Sequence, residues 1–250
     1  MSSTFVIDEP ISFSAQDKPD DAPYVYSRCD NPTVTVLQDK LAALEEAEVC
    51  RCFASGMAAT SALLLSTLSQ GDRLVMGDSN YPGTAEFARK ILTRLGVDVI
   101  VADLSDLETA DRSITAGVKL VWAETPANPT LRLTDIQGVA ELAHSVGAEL
   151  AIDSTFASPV ATRPLMLGAD YVVHSLTKYC GGHGDAMGGA VLGRRDKLKN
   201  IESDGQIYMG GVISPFNAWL INRRLATLPM RMQVHQTNAT RVAEFLEGHK

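Results

Sequence analysis

Short apolar runs alternate along the chain with longer segments in which apolar residues recur at helical spacing. The short runs have the length of β-strands, and the longer segments have the length of helices that connect parallel strands. The alternation extends from about Val49 to Gly193. It predicts an α/β fold with a mostly parallel sheet of seven strands, at residues 49–53, 73–76, 97–101, 119–123, 149–152, 170–173 and 189–192.

Helical spacing predicts helices before, between and after these strands. The first of them follows Asn31-Pro32-Thr33, where Asn31 or Thr33 can cap the helix and proline is tolerated in the first turn. The predicted helices cover residues 34–48, 58–68, 84–95, 135–146, 215–228 and 230–249, and Pro229 separates the last two.

The same patterns divide the chain into three regions. Residues 1–30 are expected to form an N-terminal arm, because residues 1–23 follow neither the strand period nor the helix period. Residues 31–229 are expected to form one large α/β domain. The chain ends inside a helical pattern at residues 234–246, so residues 230–250 are expected to begin a truncated further domain.

Composition narrows the possible partners. The 250 residues carry 22 Lys and Arg against 30 Asp and Glu, a net charge of −8, and the basic residues form no stripe, so a nucleic-acid partner is not expected. No run approaches the roughly 20 apolar residues of a membrane span, and the first residues lack the features of a signal peptide. We therefore expect a soluble, cytoplasmic protein with no membrane partner.

The four cysteines are Cys29, Cys50, Cys52 and Cys180, and none forms a C-x-x-C pair. This spacing is typical of reduced thiols inside a cytosolic protein, and no metal is expected. A metal-binding protein that uses Cys50, Cys52 and His183 is the alternative in a different functional class.

Reactive residues follow four of the predicted strands. Glu124 and Asp153 follow two of them, Ser55-Gly56-Met57 follows a third, and His174-Ser175-Leu176-Thr177-Lys178 follows a fourth. Taken singly, the acid could cap a helix and the lysine could be solvated. Because ligands bind at the carboxyl ends of the strands in an open parallel sheet, we expect these groups to meet at one edge.

The turn at Ser55-Gly56-Met57 predicts a phosphate site, since a helix that begins there presents free backbone N–H groups. The turn is neither a P-loop nor a dinucleotide fingerprint, and Gly182-His183-Gly184 has Met187 where a third glycine is needed. A phosphate compound that also requires a lysine and a carboxylate fits better. Pyridoxal 5'-phosphate (PLP) has these requirements: an amine for its aldehyde, an acid for its pyridine nitrogen and donors for its phosphate.

Five motifs occur along the chain in the order YSRCDNPT (26–33), SGMAA (55–59), ETPANP (124–129), DSTFA (153–157) and HSLTKY (174–179). Together they resemble the Cys/Met-metabolism (trans-sulfuration) family of PLP-dependent enzymes, which includes cystathionine γ-synthase, cystathionine γ- and β-lyases, methionine γ-lyase and homoserine-ester sulfhydrylases. The resemblance implies a type I aminotransferase-like fold and a homotetramer built from active dimers.

The resemblance also implies roles for residues of this chain. Lys178 would bind the cofactor's aldehyde and carry protons, Asp153 would pair with the pyridine nitrogen, and Tyr81 would stack on the ring and serve in proton transfer; these three are the catalytic candidates. The cofactor-binding candidates are Tyr26, Arg28, Ser55, Gly56, Met57, Tyr81, Glu124, Asn128, Asp153, Thr155, Ser175, Thr177 and Lys178.

Within that set, Gly56, Met57, Ser175 and Thr177 would hold the phosphate, and Asn128 would lie near the ring oxygen. Tyr26 and Arg28 would reach the phosphate of the neighbouring subunit. The alternatives are that Tyr26 and Tyr81 are packing aromatics and that Arg28 forms a surface ion pair.

The function implied is γ-elimination or γ-replacement on sulfur amino acids or homoserine esters, in methionine biosynthesis or cysteine metabolism. Members of the family continue into a C-terminal domain that supplies an arginine for the substrate carboxylate, and this chain is expected to be truncated at both ends. The alternative is a catalytically impaired PLP-binding remnant. The sequence leaves open both the substrate and the choice between elimination and replacement.

Overall fold

The computed structural model describes residues 2–8, 10–11, 14, 19 and 22–249. Within these residues a sheet of seven strands has the order β1-β7-β6-β5-β4-β2-β3. Every adjacent pair is parallel except the two that involve β7, which is antiparallel to β1 and β6. The strands are β1 (Val49–Phe53), β2 (Arg73–Gly77), β3 (Asp98–Ala102), β4 (Val118–Glu124), β5 (Glu149–Asp153), β6 (Tyr171–Ser175) and β7 (Gly189–Gly193).

The predicted α/β class and the mostly parallel seven-stranded sheet are therefore confirmed, with each predicted strand placed to within two residues at either end. The α-helices are α1 (Pro32–Glu45), α2 (Gly56–Thr67), α3 (Pro82–Phe87), α4 (Leu107–Ser113), α5 (Ile136–Ser145), α6 (Ser158–Ala161), α7 (Arg195–Asn200), α8 (Pro215–Leu225) and α9 (Leu228–Glu247). Short 3-10 helices cover Thr93–Leu95 and Pro164–Leu167, and π-helical segments cover Ala88–Leu92 and Ile201–Tyr208.

Three helix predictions need correction. Helix α1 ends at Glu45 rather than residue 48, because Glu46 adopts a left-handed conformation with φ of 56°. The predicted helix at residues 84–95 is α3 followed by a π segment and a 3-10 turn. Pro229 lies in the first turn of α9, where a proline has no intrahelical donor to lose, rather than between two helices.

The core lies on both faces of the sheet. Helix α2 and the π segment Ile201–Tyr208 pack on one face, over a cluster that includes the fully buried Phe53 and Trp122. Helices α1, α5 and α8 cover the opposite face through two further apolar clusters. Burial on both faces explains why the strands are near-continuous apolar runs in the sequence.

The predicted N-terminal arm is only partly described: residues 1, 9, 12, 13, 15–18, 20 and 21 lie outside the described residues. In the described part, Thr4 forms an antiparallel bridge with Tyr26, and the Ser27 N–H donates to the Ser3 carbonyl at 2.8 Å. None of the helices in the described part of the chain is long and apolar enough to cross a membrane.

Candidate functional site

A cavity of about 580 Å³ opens at the carboxyl ends of β1, β4, β5 and β6. This edge is where ligands bind in open parallel sheets. Eleven of the thirteen cofactor-binding candidates line it: Ser55, Gly56, Met57, Tyr81, Glu124, Asn128, Asp153, Thr155, Ser175, Thr177 and Lys178. The fold therefore brings together groups that are widely separated in the sequence.

One end of the cavity is the N-terminus of α2. The Ser55 hydroxyl caps this helix by accepting the Ala58 N–H at 3.1 Å. The N–H groups of Gly56 and Met57 have no intrahelical partner at this position, so they are available to an anion. A Cβ at Gly56 would lie 2.7 Å from the Ser175 Cβ, which shows how closely the helix approaches β6 and why glycine is required there.

Two threonine hydroxyls of the cavity wall form hydrogen bonds with the backbone. The Thr155 hydroxyl accepts the Ser175 N–H at 2.7 Å, which joins the end of β5 to the end of β6. The Thr177 hydroxyl accepts the Gly188 N–H at 3.2 Å and lies 3.3 Å from the Gly188 carbonyl. These contacts hold the segment around Ser175 and Lys178 in place.

Asp153 and Lys178 line the same cavity. Asp153 is 8% exposed, and its Oδ1 accepts the Thr155 N–H at 3.0 Å. Burial raises the pKa of Asp153, although the hydrogen bonds from Thr155 and the charge of His174 act in the opposite direction. A cation placed beside this carboxyl would favour its ionised form, as the protonated nitrogen of a pyridine ring would do.

Glu124 joins two parts of the cavity wall. Its Oε2 accepts the Tyr81 N–H at 2.5 Å and its Oε1 accepts the Asn128 N–H at 2.9 Å. Burial, reinforced by the charge of Asp153, raises the pKa of Glu124 to about 7. The carboxyl therefore fixes the backbone of the two segments that carry Tyr81 and Asn128.

Tyr26 and Arg28 do not line this cavity. The Arg28 guanidinium lies over the Tyr26 ring at 5.4 Å and donates to the Ile207 carbonyl at 2.7 Å. Their expected contact with a neighbouring subunit stays a prediction.

Three aromatic rings of the cavity wall, those of Phe156, Tyr179 and His235, were not among the predicted site residues. The Phe156 ring meets the Tyr179 ring edge-on at 5.8 Å, and the Tyr179 ring lies 5.1 Å from His235 of α9. Helical spacing predicted α9 but gave no sign that its first turns return to the sheet edge, so only the folded chain reveals His235.

The cysteines predicted to be reduced are free thiols in the structure. The sulfur atoms of Cys50 and Cys52 are 4.0 Å apart and buried, whereas His183 faces the Gly181 carbonyl at 3.0 Å. In the described ranges, no group of three or more His, Cys, Asp or Glu residues is arranged to hold a metal ion.

An anion site at a helix N-terminus, a lysine and a buried carboxyl meet at the carboxyl edge of a seven-stranded α/β sheet. These features define the cofactor-binding domain of a PLP-dependent enzyme with the type I aminotransferase-like fold. The model of the family described as "Cys/Met metabolism PLP-dependent enzyme" matches residues 1–250. The chain belongs to this family, whose cofactor is PLP.

Individual relatives support the assignment. The chain is 44% identical over 226 residues to cystathionine gamma-synthase of Mycobacterium tuberculosis, covering 90% of this chain and 58% of that protein. It is 40% identical over 250 residues to L-methionine gamma-lyase of Treponema denticola, covering 99% of this chain and 62% of that protein. The crystal structure of metB from Corynebacterium glutamicum superposes with a TM-score of 0.92 at 41% identity, covering 99% of this chain and 63% of that one. The chain thus spans about three fifths of the length of these relatives.

Proposed function

We propose that the protein is an enzyme of cysteine and methionine metabolism that catalyses γ-elimination or γ-replacement on sulfur amino acids or homoserine esters. The observation that carries this proposal is the meeting of Lys178, Asp153 and the α2 N-terminus in one cavity. PLP supplies an electron-withdrawing ring that stabilises negative charge beside the substrate's amino group.

The residues of this chain would bind and orient the cofactor at its phosphate, at its pyridine nitrogen and at the face of its ring. The N–H groups of Gly56 and Met57, with the Ser175 and Thr177 hydroxyls, would hold the phosphate at the α2 N-terminus. Asp153 would pair with the pyridine nitrogen, a contact that offsets the burial of its carboxylate. The Tyr81 ring is 45% exposed at the cavity wall and would stack on the pyridine ring.

Lys178 and Tyr81 would move the protons. The Lys178 Nζ would hold the cofactor's aldehyde carbon and, once released as a neutral amine, would take the proton from the substrate's α-carbon. The Tyr81 hydroxyl would serve as a second proton carrier. Asn128, held by Glu124, would lie beside the ring oxygen.

The names of the relatives support the substrate class. Cystathionine gamma-synthase and L-methionine gamma-lyase are both named for sulfur amino acids. We extend that class of substrate to this protein as part of the proposal.

We also propose a cytoplasmic homo-oligomer, a dimer of dimers in which Tyr26 and Arg28 reach the neighbouring subunit's cavity. Tyr26 is 40% exposed and stands apart from the cavity of its own subunit, which leaves it accessible to a partner. The four free cysteines are typical of a reducing compartment.

Absorbance and turnover measurements test the proposal. Purified protein mixed with PLP is expected to show the visible band of a lysine-bound cofactor, which Lys178→Ala abolishes. Lys90→Ala, which changes an exposed lysine paired with Glu86, is the control and is expected to keep the band. Conversion of cystathionine to 2-oxobutyrate, ammonia and cysteine, or of an O-acyl-homoserine and a thiol to a thioether and a carboxylate, would support the activity. A band without turnover would favour an impaired cofactor-binding chain, and no band in the unmutated protein would contradict both.

A further inference from the structure

Arg231, in the first turns of α9, is bonded to the turn that carries Lys178. Its Nη1 donates to the Tyr179 carbonyl at 2.7 Å, immediately after the lysine. Its Nη2 donates to the Arg224 carbonyl at 3.2 Å and its Nε to the Thr227 hydroxyl at 3.1 Å. One guanidinium therefore joins the lysine turn to the junction between α8 and α9.

The lysine turn is built to accept this group. The Gly182 N–H donates to the Lys178 carbonyl at 2.6 Å, and the Gly181 N–H donates to the Leu176 carbonyl at 2.7 Å. A Cβ at Gly182, whose φ is 72°, would lie 2.3 Å from the Arg231 Nη1. The guanidinium therefore packs directly on the glycine that closes the turn, and any larger residue would displace it.

Hydrogen bonds between Thr177 and Gly188 hold the start of the turn, whereas its end leads into an exposed segment. Residues 182–185 are exposed and include two glycines with positive φ. The nearest ion pair on that segment joins Asp185 to Arg224, at 2.6 Å from Oδ2 to Nη2. The Tyr179 carbonyl, next to Lys178, is instead fixed by Arg231.

We propose that Arg231 is a positioning residue for Lys178: its guanidinium fixes the turn at residues 178–182 so that the lysine amine points into the cavity. The inference rests on the proposed role of Lys178. All three acceptors are neutral oxygens in different directions, a geometry that suits the planar fork of arginine. A lysine at position 231 has one nitrogen and cannot reach all three, so charge alone does not replace it.

The experiment measures cofactor capture by Lys178 in four variants of the protein. Arg231→Met and Arg231→Lys remove the guanidinium group. Gly182→Ala pushes the guanidinium away from the turn while keeping its charge. Arg223→Met is the control. Arg223 is an exposed arginine of α8 that lies over the Trp219 ring, away from the turn. The readouts are the dissociation constant for PLP and the rate at which borohydride traps the Lys178 linkage, with circular dichroism to verify folding.

Both Arg231 variants and Gly182→Ala are expected to raise the dissociation constant about 10-fold or more, because a displaced reacting group loses much of its effective concentration. Arg223→Met is expected to leave it unchanged. In a Lys178→Ala background, Arg231→Met should have no further effect on the residual PLP affinity. An equal loss in that background would overturn the proposal, as would unchanged capture in the folded Arg231 variants.

Hydrogen exchange separates this inference from the proposed function. In the protein without cofactor, Arg231→Met is expected to speed exchange of the Gly181 and Gly182 amides at least about 10-fold, because the turn opens more readily. Unchanged exchange of these amides in Arg231→Met would show that Arg231 does not hold the turn in place. Absence of PLP capture in the unmutated protein, with faster exchange in the variant, would instead contradict the role of Lys178.

Discussion

Glu124 and Asp153 are register partners at the ends of adjacent parallel strands β4 and β5. Both carboxyl groups are buried, at 7% and 8% exposure. Burial raises the pKa of each, and the Asp153 charge raises that of Glu124 further. A cation placed beside Asp153 would favour the ionised form of that carboxyl and would offset the repulsion between the two acids.

Glu124→Gln is expected to flatten the pH dependence of stability in the protein without cofactor. The folded-state pKa of Glu124 is about 7, against 4.5 for the free group, so the folded state binds the proton more tightly. The resulting stabilisation is fully present below pH 4.5 and is lost as the pH rises through 7. After allowance for solvent screening it is on the order of 1–2 kcal/mol.

Urea unfolding at several pH values between 4.5 and 8 measures this effect. Glu141→Gln, at an exposed position of α5, is the matched control and should keep the slope of the unmutated protein. An unchanged slope in Glu124→Gln would show that its carboxyl does not titrate in this range.

Asp153→Asn is expected to bind PLP but to lower turnover by about 100-fold or more. The neutral amide cannot hold a proton on the pyridine nitrogen, so the ring becomes a poor acceptor of electrons. Steady-state kinetics and the visible cofactor band, measured on the same preparation, separate loss of chemistry from loss of binding. Near-normal turnover would contradict the role assigned to Asp153.

Gly56→Ala is expected to weaken PLP affinity, because the added Cβ would lie 2.7 Å from the Ser175 Cβ and would push α2 away from β6. The displaced helix N-terminus would then fit the phosphate poorly, with a loss of about 10-fold. Gly248→Ala, whose Cβ would meet its nearest atoms at 3.7 Å, is the control. Equal affinities for PLP in both variants would count against a phosphate site at α2.

Glu45→Ala is expected to destabilise the fold by about 1–3 kcal/mol, because it leaves a buried polar partner without its hydrogen bond. The Glu45 Oε1 lies 2.6 Å from the His174 Nε2, and the two side chains are 0% and 1% exposed. Glu46→Ala breaks an exposed pair with Arg163 and should cost less than about 1 kcal/mol. Denaturant unfolding measures the free energy of unfolding of both variants. A similar loss of stability in the two would show that the buried pair contributes no more than the exposed pair.

Arg28→Ala is expected to weaken PLP retention only when the protein is assembled. Arg28 does not line its own subunit's cavity, so its proposed phosphate contact requires a partner. PLP affinity measured above and below the concentration at which subunits separate tests this, with Arg163→Ala as an exposed control. An equal loss in separated subunits would place the contact within one chain.

The strands and several residues that line the cavity could be predicted, because each depends on local pattern. Asp153 and Glu124 end apolar runs, and Ser55-Gly56-Met57 lies between a strand and a helix. The π segment Ile201–Tyr208 could not be predicted: it contains Gly205, at which a Cβ would lie 2.3 Å from that of Ala62 in α2. That close approach is a tertiary contact with no local signal.

Tertiary contacts without a local sequence signal also hold the residues of the cavity in position. Glu124 accepts hydrogen bonds from two backbone N–H groups, and these bonds form only after distant segments have packed. The same is true of the contacts through which α9 brings Arg231 and His235 to the lysine turn. Residue types at strand ends predict which groups meet in the cavity. They do not identify the neighbours that hold those groups in position.

Strand β1 has β7 as its neighbour in the sheet, so the first strand in the chain is held by the last. During synthesis, β1 and the turn at Gly56 must wait until the chain has emerged as far as Gly193. Pairing over so long a stretch closes a large loop and tends to be slow. We therefore expect a nascent chain to acquire its cofactor late, after β7 has inserted between β1 and β6 and has brought the turn at Gly56 to the same edge as Lys178.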